Sequence, residues 1–268
     1  MSDYLSGARE AAQRHHWSDA VAEYTAAERQ GASLGPEDLL SLAAVSWWSG
    51  EIDGAVDALE RAYGSLLEAQ RRPEAAIVAL RLCELAAQGL NFAVAQSWLA
   101  RAKRLLAEES ESVAHAWLEL ILSVLQLVEN GDLEGSLQLA EHSLQLARNF
   151  RSPDVESLAL AVAGQALLRM GRWAEGLASL DEAAATAIAG PLDPKNACEV
   201  YCNTIVACSD LGDYRRAGQW IAEADRWMER REITGYRGVC RVYRAELKRM
   251  HGAWSEAERE ARDACDEL

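Results

Sequence analysis

Two groups of residues have the types and the spacing to do chemistry. His15 and His16 are adjacent, and imidazole side chains titrate near neutral pH and bind metals. We expect no acidic or thiol partner for them, which favours a solvated turn. Cys198 and Cys202 are one helical turn apart and have the spacing to share a metal ion. The alternative, which the helical pattern favours, is that they are small apolar residues filling a helix interface.

Motifs that mark common catalytic and cofactor sites are missing from the sequence. It contains no phosphate-binding Gly-rich loop, no H-E-x-x-H and no C-x-x-C. We therefore expect no catalytic residue, no metal site and no cofactor, and we do not expect an enzyme.

The chain is strongly acidic, with a formal net charge of −15 and a pI of about 4.8. Such a surface repels nucleic-acid phosphates and anionic membranes, so we expect neither as a direct partner. No apolar run approaches the ~20 residues of a membrane span, and the first residues, MSDYLSGARE, do not resemble a signal peptide. The six cysteines are typical of reduced thiols rather than of a disulfide framework. These features together predict a cytoplasmic protein.

The strongest signal is a skeleton that occurs seven times. A bulky residue is followed three positions later by a small residue, and seven positions after that by another small residue. The bulky positions are Trp17, Ile52, Phe92, Leu133, Trp173, Tyr214 and Trp254. The first small positions are Ala20, Ala55, Ala95, Ser136, Gly176, Ala217 and Ala257, and the second are Ala27, Ala62, Ala102, Ser143, Ala183, Ala224 and Ala264. The steps between first small positions are 35, 40, 41, 40, 41 and 40 residues, which indicates a repeat architecture.

Helix geometry gives this skeleton a physical meaning. Small residues seven apart lie on one face of a helix and let a partner helix approach closely. We expect the bulky residue to fill the gap at the end of that contact. Five repeats also carry a glycine two positions before the bulky residue, where a preceding helix would end in left-handed geometry: Gly50, Gly131, Gly171, Gly212 and Gly252. Each repeat is therefore predicted to be a helix A, a short turn and a helix B, stacked on its neighbours.

The predicted helices cover almost the whole chain. They lie at about 3–14, 17–30, 36–49, 52–70, 72–88, 91–107, 111–129, 132–149, 153–170, 173–189, 194–211, 214–230, 235–251 and 254–267. The repeats that they form lie at about 1–33, 34–71, 72–109, 110–151, 152–191, 192–232 and 233–268. None of the five prolines interrupts a predicted helix.

These helix pairs resemble tetratricopeptide repeats, which also have small residues on helix A and at two positions on helix B. Helix A supplies Ala8, Ala43, Cys83, Gly164 and Ala245 at its small position, while Val124 and Ile205 depart from the pattern. The spacing of 40 or 41 residues is also longer than the 34 of that family. The resemblance implies an all-α fold, a right-handed α-solenoid of seven antiparallel helix pairs forming one domain over residues 1–268.

The last hundred residues are similar to the repeat region of actinobacterial regulators that carry LuxR-type DNA-binding or nucleotide-cyclase domains. The similarity runs from GRWAEGLASLDEAAATAIAG, which starts at Gly171, to the end of the chain. No recognition helix and no cyclase metal site can be recognised in the sequence. The resemblance implies a module of a bacterial regulatory protein.

In tetratricopeptide-like stacking, helix A lines the inner surface, so the resemblance places a binding groove there. The predicted groove residues are Trp47, Trp48, Arg81, Glu84, Ile121, Leu125, Gln165, Arg169, Asn203, Tyr243, Glu246 and Arg249. Alternatives remain open for several of them. Trp47 and Trp48 are adjacent and cannot both face one neighbour, so one is either exposed to a partner or packed between repeats. Ile121 and Leu125 have the alternative of packing between helices.

The predicted function is that of a non-catalytic scaffold that binds a protein or peptide. The alternative is a sensor, in which the groove binds a small ligand or signal peptide, changes curvature and controls an output domain. Any homodimer is expected to form through the outer or terminal helices and not through the groove.

Overall fold

The structure, a computed structural model, describes residues 5–190, 192–233, 239–250 and 252–267. Within these ranges all regular secondary structure is helical. The helices are α1 (Ser6–Gln13), α2 (Trp17–Arg29), α3 (Pro36–Ser49), α4 (Ile52–Glu68), α5 (Arg72–Gln88), α6 (Phe92–Leu106), α7 (Val113–Leu125), α8 (Leu133–Asn149), α9 (Pro153–Arg169), α10 (Trp173–Ala189), α11 (Pro194–Asp210), α12 (Tyr214–Arg230), α13 (Val239–Met250) and α14 (Trp254–Glu267). A π turn, Gln126–Asn130, follows α7. The all-α prediction is confirmed, and where the structure describes them the helix bounds lie within a few residues of those expected. The starts predicted at residues 3 and 235 lie outside the described residues.

Consecutive helices pack in pairs, which we number hairpins 1 to 7 from α1–α2 to α13–α14. In hairpin 4, the hydroxyl of Ser123 on α7 donates a hydrogen bond of 2.7 Å to the carbonyl oxygen of Ser136 on α8. A proline is the first residue of α3, α9 and α11 and the second residue of α5, in the first turn where a missing N–H costs nothing. The five glycines expected between helices A and B all have positive φ, between 64° and 79°. In hairpins 1 and 3 the same left-handed position is taken by His15 and Leu90.

The small positions of the skeleton are the points of closest helix packing. All fourteen on helices B are buried. In hairpin 5, a Cβ added to Gly176 would lie 2.8 Å from the carbonyl oxygen of Gly164, and one added to Gly164 would lie 2.9 Å from that of Gly176. The two backbones therefore touch, and the predicted role of the small residues is confirmed.

The prediction that the bulky residues fill gaps between helices is wrong in four of the seven repeats. Trp173 is 62% exposed and Trp254 is 66% exposed, and Ile52 and Phe92 are also exposed. Each of these residues begins a helix B. Because a helical Cα–Cβ bond tilts toward the N terminus, the side chain of the first residue projects past the end of its own helix. These four residues therefore lie at the A–B turns and largely face solvent. Trp17, Leu133 and Tyr214, at the same position, are half-buried, and Trp17 stacks on Trp48 of the next hairpin.

The helix predicted over 111–129 changes its hydrogen bonding before it ends. α7 stops at Leu125, and the π turn continues to Asn130, just before Gly131 in left-handed geometry. A π turn accommodates one extra residue in a helix. Within the π turn, the Leu127 carbonyl oxygen accepts a hydrogen bond of 3.0 Å from the guanidinium of Arg169 on α9.

The chain divides into two compact units, Met1–Leu118 and Glu119–Leu268. The core of the first unit is a cluster around Tyr24, Val45, Leu59 and Leu66. In the second unit α9 is the central helix, with an almost unbroken buried run from Ser157 to Gly164. The single domain over 1–268 stays a prediction. In the described part of the chain, no helix combines the length and apolar character needed to cross a membrane.

Candidate functional site

The paired histidines lie in the turn between α1 and α2. The Nδ1 atom of His16 lies 4.0 Å from an Asp19 carboxylate oxygen, so the expectation of no acidic partner is wrong. The His15 ring packs on Trp17 with 4.8 Å between ring centroids. Among the described residues, no group of three or more His, Cys, Asp or Glu side chains could hold a metal ion.

The cysteines of α11 have two different states. Cys198 and Cys208 are free and buried, and burial raises the pKa of Cys198 to about 12 and that of Cys208 to about 11. Such thiols stay protonated at neutral pH and are poor nucleophiles. Cys202 is disulfide-bonded, so the prediction of reduced thiols is wrong at this position.

One motif was missed in the sequence. The run Gly31–Gly35, GASLG, matches the G-x-S-x-G pattern of the hydrolase nucleophile elbow. That elbow requires a strand leading into the turn and a helix leading out of it. Here the run links α2 to α3, so Ser33 lacks the strand that would position it for catalysis.

In the first unit, the predicted groove residues lie on α3 and α5. Trp48 is only 5% exposed and stacks on Trp17, with 5.2 Å between centroids, so the packing alternative holds for it. Trp47 is half-buried and meets Trp48 edge-on at 5.1 Å. On α5, Arg81 and Glu84 are half-buried, and the Glu84 carboxylate accepts a 3.2 Å hydrogen bond from Gln88.

In the second unit, polar side chains connect consecutive A helices. Gln165 on α9 donates from its amide nitrogen to the amide oxygen of Asn203 on α11, at 2.9 Å. One turn further along α9, the Arg169 guanidinium bonds the Leu127 carbonyl oxygen of the π turn. The helices α9 and α11 are in direct contact, as are α11 and α13. The structure therefore places two of the predicted groove residues, Gln165 and Asn203, in direct contact.

The last A helix adds an aromatic and an ion pair. Tyr243 on α13 is half-buried, and burial raises its pKa, with the charges of Asp210 and Glu246 acting in the same direction. Glu246 and Arg249 are exposed and form an ion pair within α13 at 3.7 Å. Pairing of Glu246 with Arg249 within the helix is the alternative to a role of these residues in binding a partner. Both side chains are exposed to solvent.

We call the surface formed by Gln165, Arg169, Asn203 and Tyr243 the A-face. A side-chain amide has two donor hydrogens and an acceptor oxygen, and the Gln165–Asn203 bond uses only one donor and one acceptor. A guanidinium has five N–H donors, of which the Leu127 carbonyl takes one. The A-face therefore has the groups to bond a peptide main chain or a carboxylate. Ile121 and Leu125 are half-buried, and Val128 beside them is exposed.

A surface cavity that the sequence did not predict lies between α10 and α12. Its volume is about 1000 Å³, and its walls include Tyr214, Trp220 and Ala185. An ion pair between Arg216 and Asp181 crosses it. Equivalent residues of α10 and α12 lie 41 positions apart in the sequence, but only the arrangement of the B helices reveals the space between them.

The solved structures that resemble this chain include two complexes. NprR in complex with its cognate peptide NprX aligns with 99% of this chain and 77% of its own, with a TM-score of 0.68 and 13% identity. A Rap protein complexed with Competence and Sporulation Factor aligns with 98% of this chain and 75% of its own, with a TM-score of 0.58 and 12% identity. The fold is tetratricopeptide-like.

A third tetratricopeptide-like structure is a signal transduction ATPase with numerous domains from Pyrococcus horikoshii, which has a tetratricopeptide repeat sensor. It aligns with 95% of this chain and 39% of its own, with a TM-score of 0.53 and 15% identity. No protein-family model and no curated protein matches the sequence. The structural likeness shows the tetratricopeptide-like fold, and at identities of 12–15% it shows nothing about what this chain binds.

Proposed function

We propose that the chain is a non-catalytic, cytoplasmic module of a bacterial regulatory protein that binds a peptide or an extended protein segment on the A-face. The observation that carries the proposal is the amide pair Gln165–Asn203, which joins consecutive A helices at 2.9 Å. A buried structural pair would be surrounded by apolar side chains, but both of these residues are half-buried and keep donors and acceptors in contact with solvent.

The similar complexes support a peptide as the ligand. NprR is seen with its cognate peptide NprX, and its structure aligns with 99% of this chain. The neighbouring Arg169 extends the A-face with a cation, which suits a carboxylate of the bound peptide. Tyr243 adds an amphipathic ring of the kind common at binding surfaces.

Selection from a random peptide library tests this proposal. Peptides selected on the wild-type chain would be measured by fluorescence anisotropy against Gln165→Ala/Asn203→Ala. We expect binding at least about tenfold weaker, since each lost hydrogen bond costs about 1 kcal/mol. The matched control is Gln145→Ala/Asn149→Ala, which removes two exposed amides from α8. Selected peptides that bind the A-face variant as tightly as the wild type would contradict the proposal.

A second candidate is a sensor whose ligand changes the conformation of the module. The π turn favours it, because the hydrogen bond from Arg169 to Leu127 holds a helix end in an uncommon geometry beside the A-face. A ligand that takes over Arg169 would release that carbonyl and permit ordinary helical bonding. Small-angle scattering with a selected peptide separates the candidates. An unchanged radius of gyration favours the scaffold, and a clear change favours the sensor.

A further inference from the structure

The surface cavity lined by α10 and α12 lies where one repeat lacks a side chain that the others have. In the other six repeats, the position after the first small residue of helix B is occupied by Val21, Val56, Gln96, Leu137, Leu177 and Glu258. The four apolar side chains among these are buried or half-buried. In hairpin 6 this position is Gly218, which lines the cavity, and a Cβ added there would meet no atom within 4 Å. The volume that a valine or leucine occupies in four other repeats is therefore open here.

Neither backbone geometry nor close packing requires a glycine at this position. Gly218 is the fifth residue of α12, and it is not among the glycines with positive φ. It also differs from Gly164 and Gly176, where an added Cβ would collide with the backbone of the partner helix. Inside a helix, glycine is less favourable than every residue except proline. What Gly218 does provide is open space in the wall of the cavity.

Gly218 shares one face of α12 with an aromatic ring and a cation. Tyr214 lies four residues before Gly218 and Arg215 lies three before it, and side chains at these spacings are neighbours on a helix surface. Ala222, four residues after Gly218, extends the open floor by another turn. All four residues line the cavity, whose volume of about 1000 Å³ is at the upper end of the range for small-molecule sites, about 300–1000 Å³. A flat ring over this floor would meet Tyr214 in the edge-on or offset geometry that aromatic rings prefer.

The three carboxylates that line the cavity already have partners. Asp181 pairs with Arg216 across the cavity, and Glu223 pairs with Arg226 at 2.5 Å. Asp213 accepts a hydrogen bond of 3.1 Å from the backbone N–H of Arg216 and so caps the start of α12. These contacts engage every carboxylate of the lining and two of its three cations.

Arg215 is the third cation of the lining and differs from the other two. It is exposed, and it has no hydrogen bond or ion pair within the described part of the chain. The net charge of −15 opposes anions mainly at long range, where salt screens charges that are more than about 8 Å apart. A carboxylate can bond a guanidinium through two parallel hydrogen bonds. The unpaired charge of the lining is therefore positive, and it selects an anionic ligand.

We propose that this cavity binds a small aromatic carboxylate, with the ring over Gly218 and Ala222 and the carboxylate on Arg215. The site is formed by B helices and the A-face by A helices, so the proposal does not depend on peptide binding at the A-face. Gly218 determines which ligands fit, because a larger residue would occupy the position of the ring. Arg215 determines the charge that the ligand must have.

Isothermal titration calorimetry on the whole chain tests the proposal with three probes that share one ring system: naphthoate, naphthylmethanol and naphthylmethylammonium. Gly218→Leu fills the floor of the cavity, and Arg215→Gln removes the cation. The matched controls lie in the first unit. Gly64→Leu changes a glycine of α4 where an added Cβ also meets nothing within 4 Å, and Arg104→Gln changes an exposed arginine of α6. Circular dichroism melts confirm that each variant is folded.

We expect the wild type to bind naphthoate at least about fivefold more tightly than naphthylmethanol, which lacks the charge. Gly218→Leu should weaken naphthoate binding at least about tenfold by steric exclusion, whereas both controls should bind it like the wild type. Arg215→Gln should abolish the preference for naphthoate and leave the binding of naphthylmethanol unchanged. The proposal is overturned if naphthoate does not bind the wild type, binds Gly218→Leu equally well, keeps its preference in Arg215→Gln or binds less tightly than the ammonium probe.

Discussion

Hairpins 5 and 7 share one sequence skeleton and are held together by different forces. In hairpin 5, α9 and α10 meet through Gly164 and Gly176, whose backbones are in contact, with Leu168 and Leu180 packed against the glycines. In hairpin 7, α13 and α14 are joined by ion pairs. Glu260, only 15% exposed, lies 2.9 Å from Lys248, 3.5 Å from Arg241 and 3.8 Å from Arg244.

The comparison teaches what the small residues do and do not specify. They allow two helices to approach, and both hairpins therefore have the same architecture. The free energy that stabilises each helix pair comes from the side chains around the small residues. These side chains are apolar around α9 and mostly charged around α13. Apolar packing depends weakly on salt and pH, whereas ion pairs depend on both. The two hairpins should therefore respond differently to the same perturbations.

The largest effect is expected from Gly176→Leu. A Cβ at this position would lie 2.7 Å from Leu168 and 2.8 Å from the Gly164 carbonyl oxygen, so a leucine cannot fit without separating the helices. We expect the free energy of unfolding to fall by about 1–3 kcal/mol or more. Thermal melts followed by circular dichroism measure it.

The control for this substitution is Gly218→Leu on α12, where an added Cβ meets nothing within 4 Å. That variant should keep the stability of the wild type or gain from the better helix propensity of leucine. Equal melting of the Gly176→Leu and Gly218→Leu variants would show that the contact between α9 and α10 does not limit stability.

The next largest effect is expected from Glu260→Gln, which leaves three cations of α13 without their shared partner. Hydrogen bonds to charged groups contribute about 1.5–3 kcal/mol, and the partial exposure of this site favours the lower end. Hydrogen exchange in α13 and α14 should accelerate, while exchange in α9 and α10 stays the same. Glu258→Gln, an exposed residue paired only with Arg262 within the helix, is the control and should change little. Uniform acceleration in all four helices would contradict a local role for the network.

Periodicity predicted most of the fold. The seven-residue spacing of small residues, from Ala20 and Ala27 onward, indicates close helix packing, and the structure places these residues in the interior. The turn glycines predict left-handed ends because glycine adopts positive φ without strain. His15 and Leu90 take the same conformation without that signal, since the stacked hairpins impose it.

Other features lie beyond sequence periodicity. The bulky position of each repeat was expected to be buried, yet Trp173 is exposed, because the direction of a side chain at a helix start depends on the end geometry rather than on the period. The π turn lies in a stretch that the repeat pattern assigns to an ordinary helix. The charged network of hairpin 7 and the Gln165–Asn203 bond require knowledge of which helix faces meet.

A smaller effect is expected from salt. Raising sodium chloride should weaken the exposed part of the network between α13 and α14, including the Arg241–Asp263 pair at 3.2 Å. We expect a loss below about 1 kcal/mol for hairpin 7 and no loss for hairpin 5. Hydrogen exchange at low and high salt measures both in one sample. An equal change of exchange rate in the two hairpins would contradict the conclusion that ion pairs stabilise hairpin 7 more than hairpin 5.

The smallest effect concerns Asp225 on α12, which is paired with Arg244. The direction in which it changes stability with pH follows from the pKa of this carboxyl. Burial raises the pKa of this carboxyl above its usual value, Glu260 and Glu229 raise it further, and Arg244 only partly opposes them. The folded protein therefore binds this proton more tightly than the unfolded chain. Stability from this group is greatest below the unfolded pKa, about 3.9, and falls as pH rises through the window up to the raised folded pKa.

Asp225→Asn removes that titration and supplies a neutral side chain of nearly the same shape. At pH 7 the wild-type carboxylate is ionised although its surroundings favour the protonated form. The variant should therefore be as stable as the wild type or slightly more stable. As pH falls toward 4, the wild type regains its proton and the advantage of the variant should disappear. Urea unfolding of both proteins across this range measures the difference, in which the other titrating groups cancel. A variant that is clearly less stable at pH 7, and recovers on acidification, would show that the Arg244 pair outweighs burial and that hairpin 7 gains stability from every charge in its network.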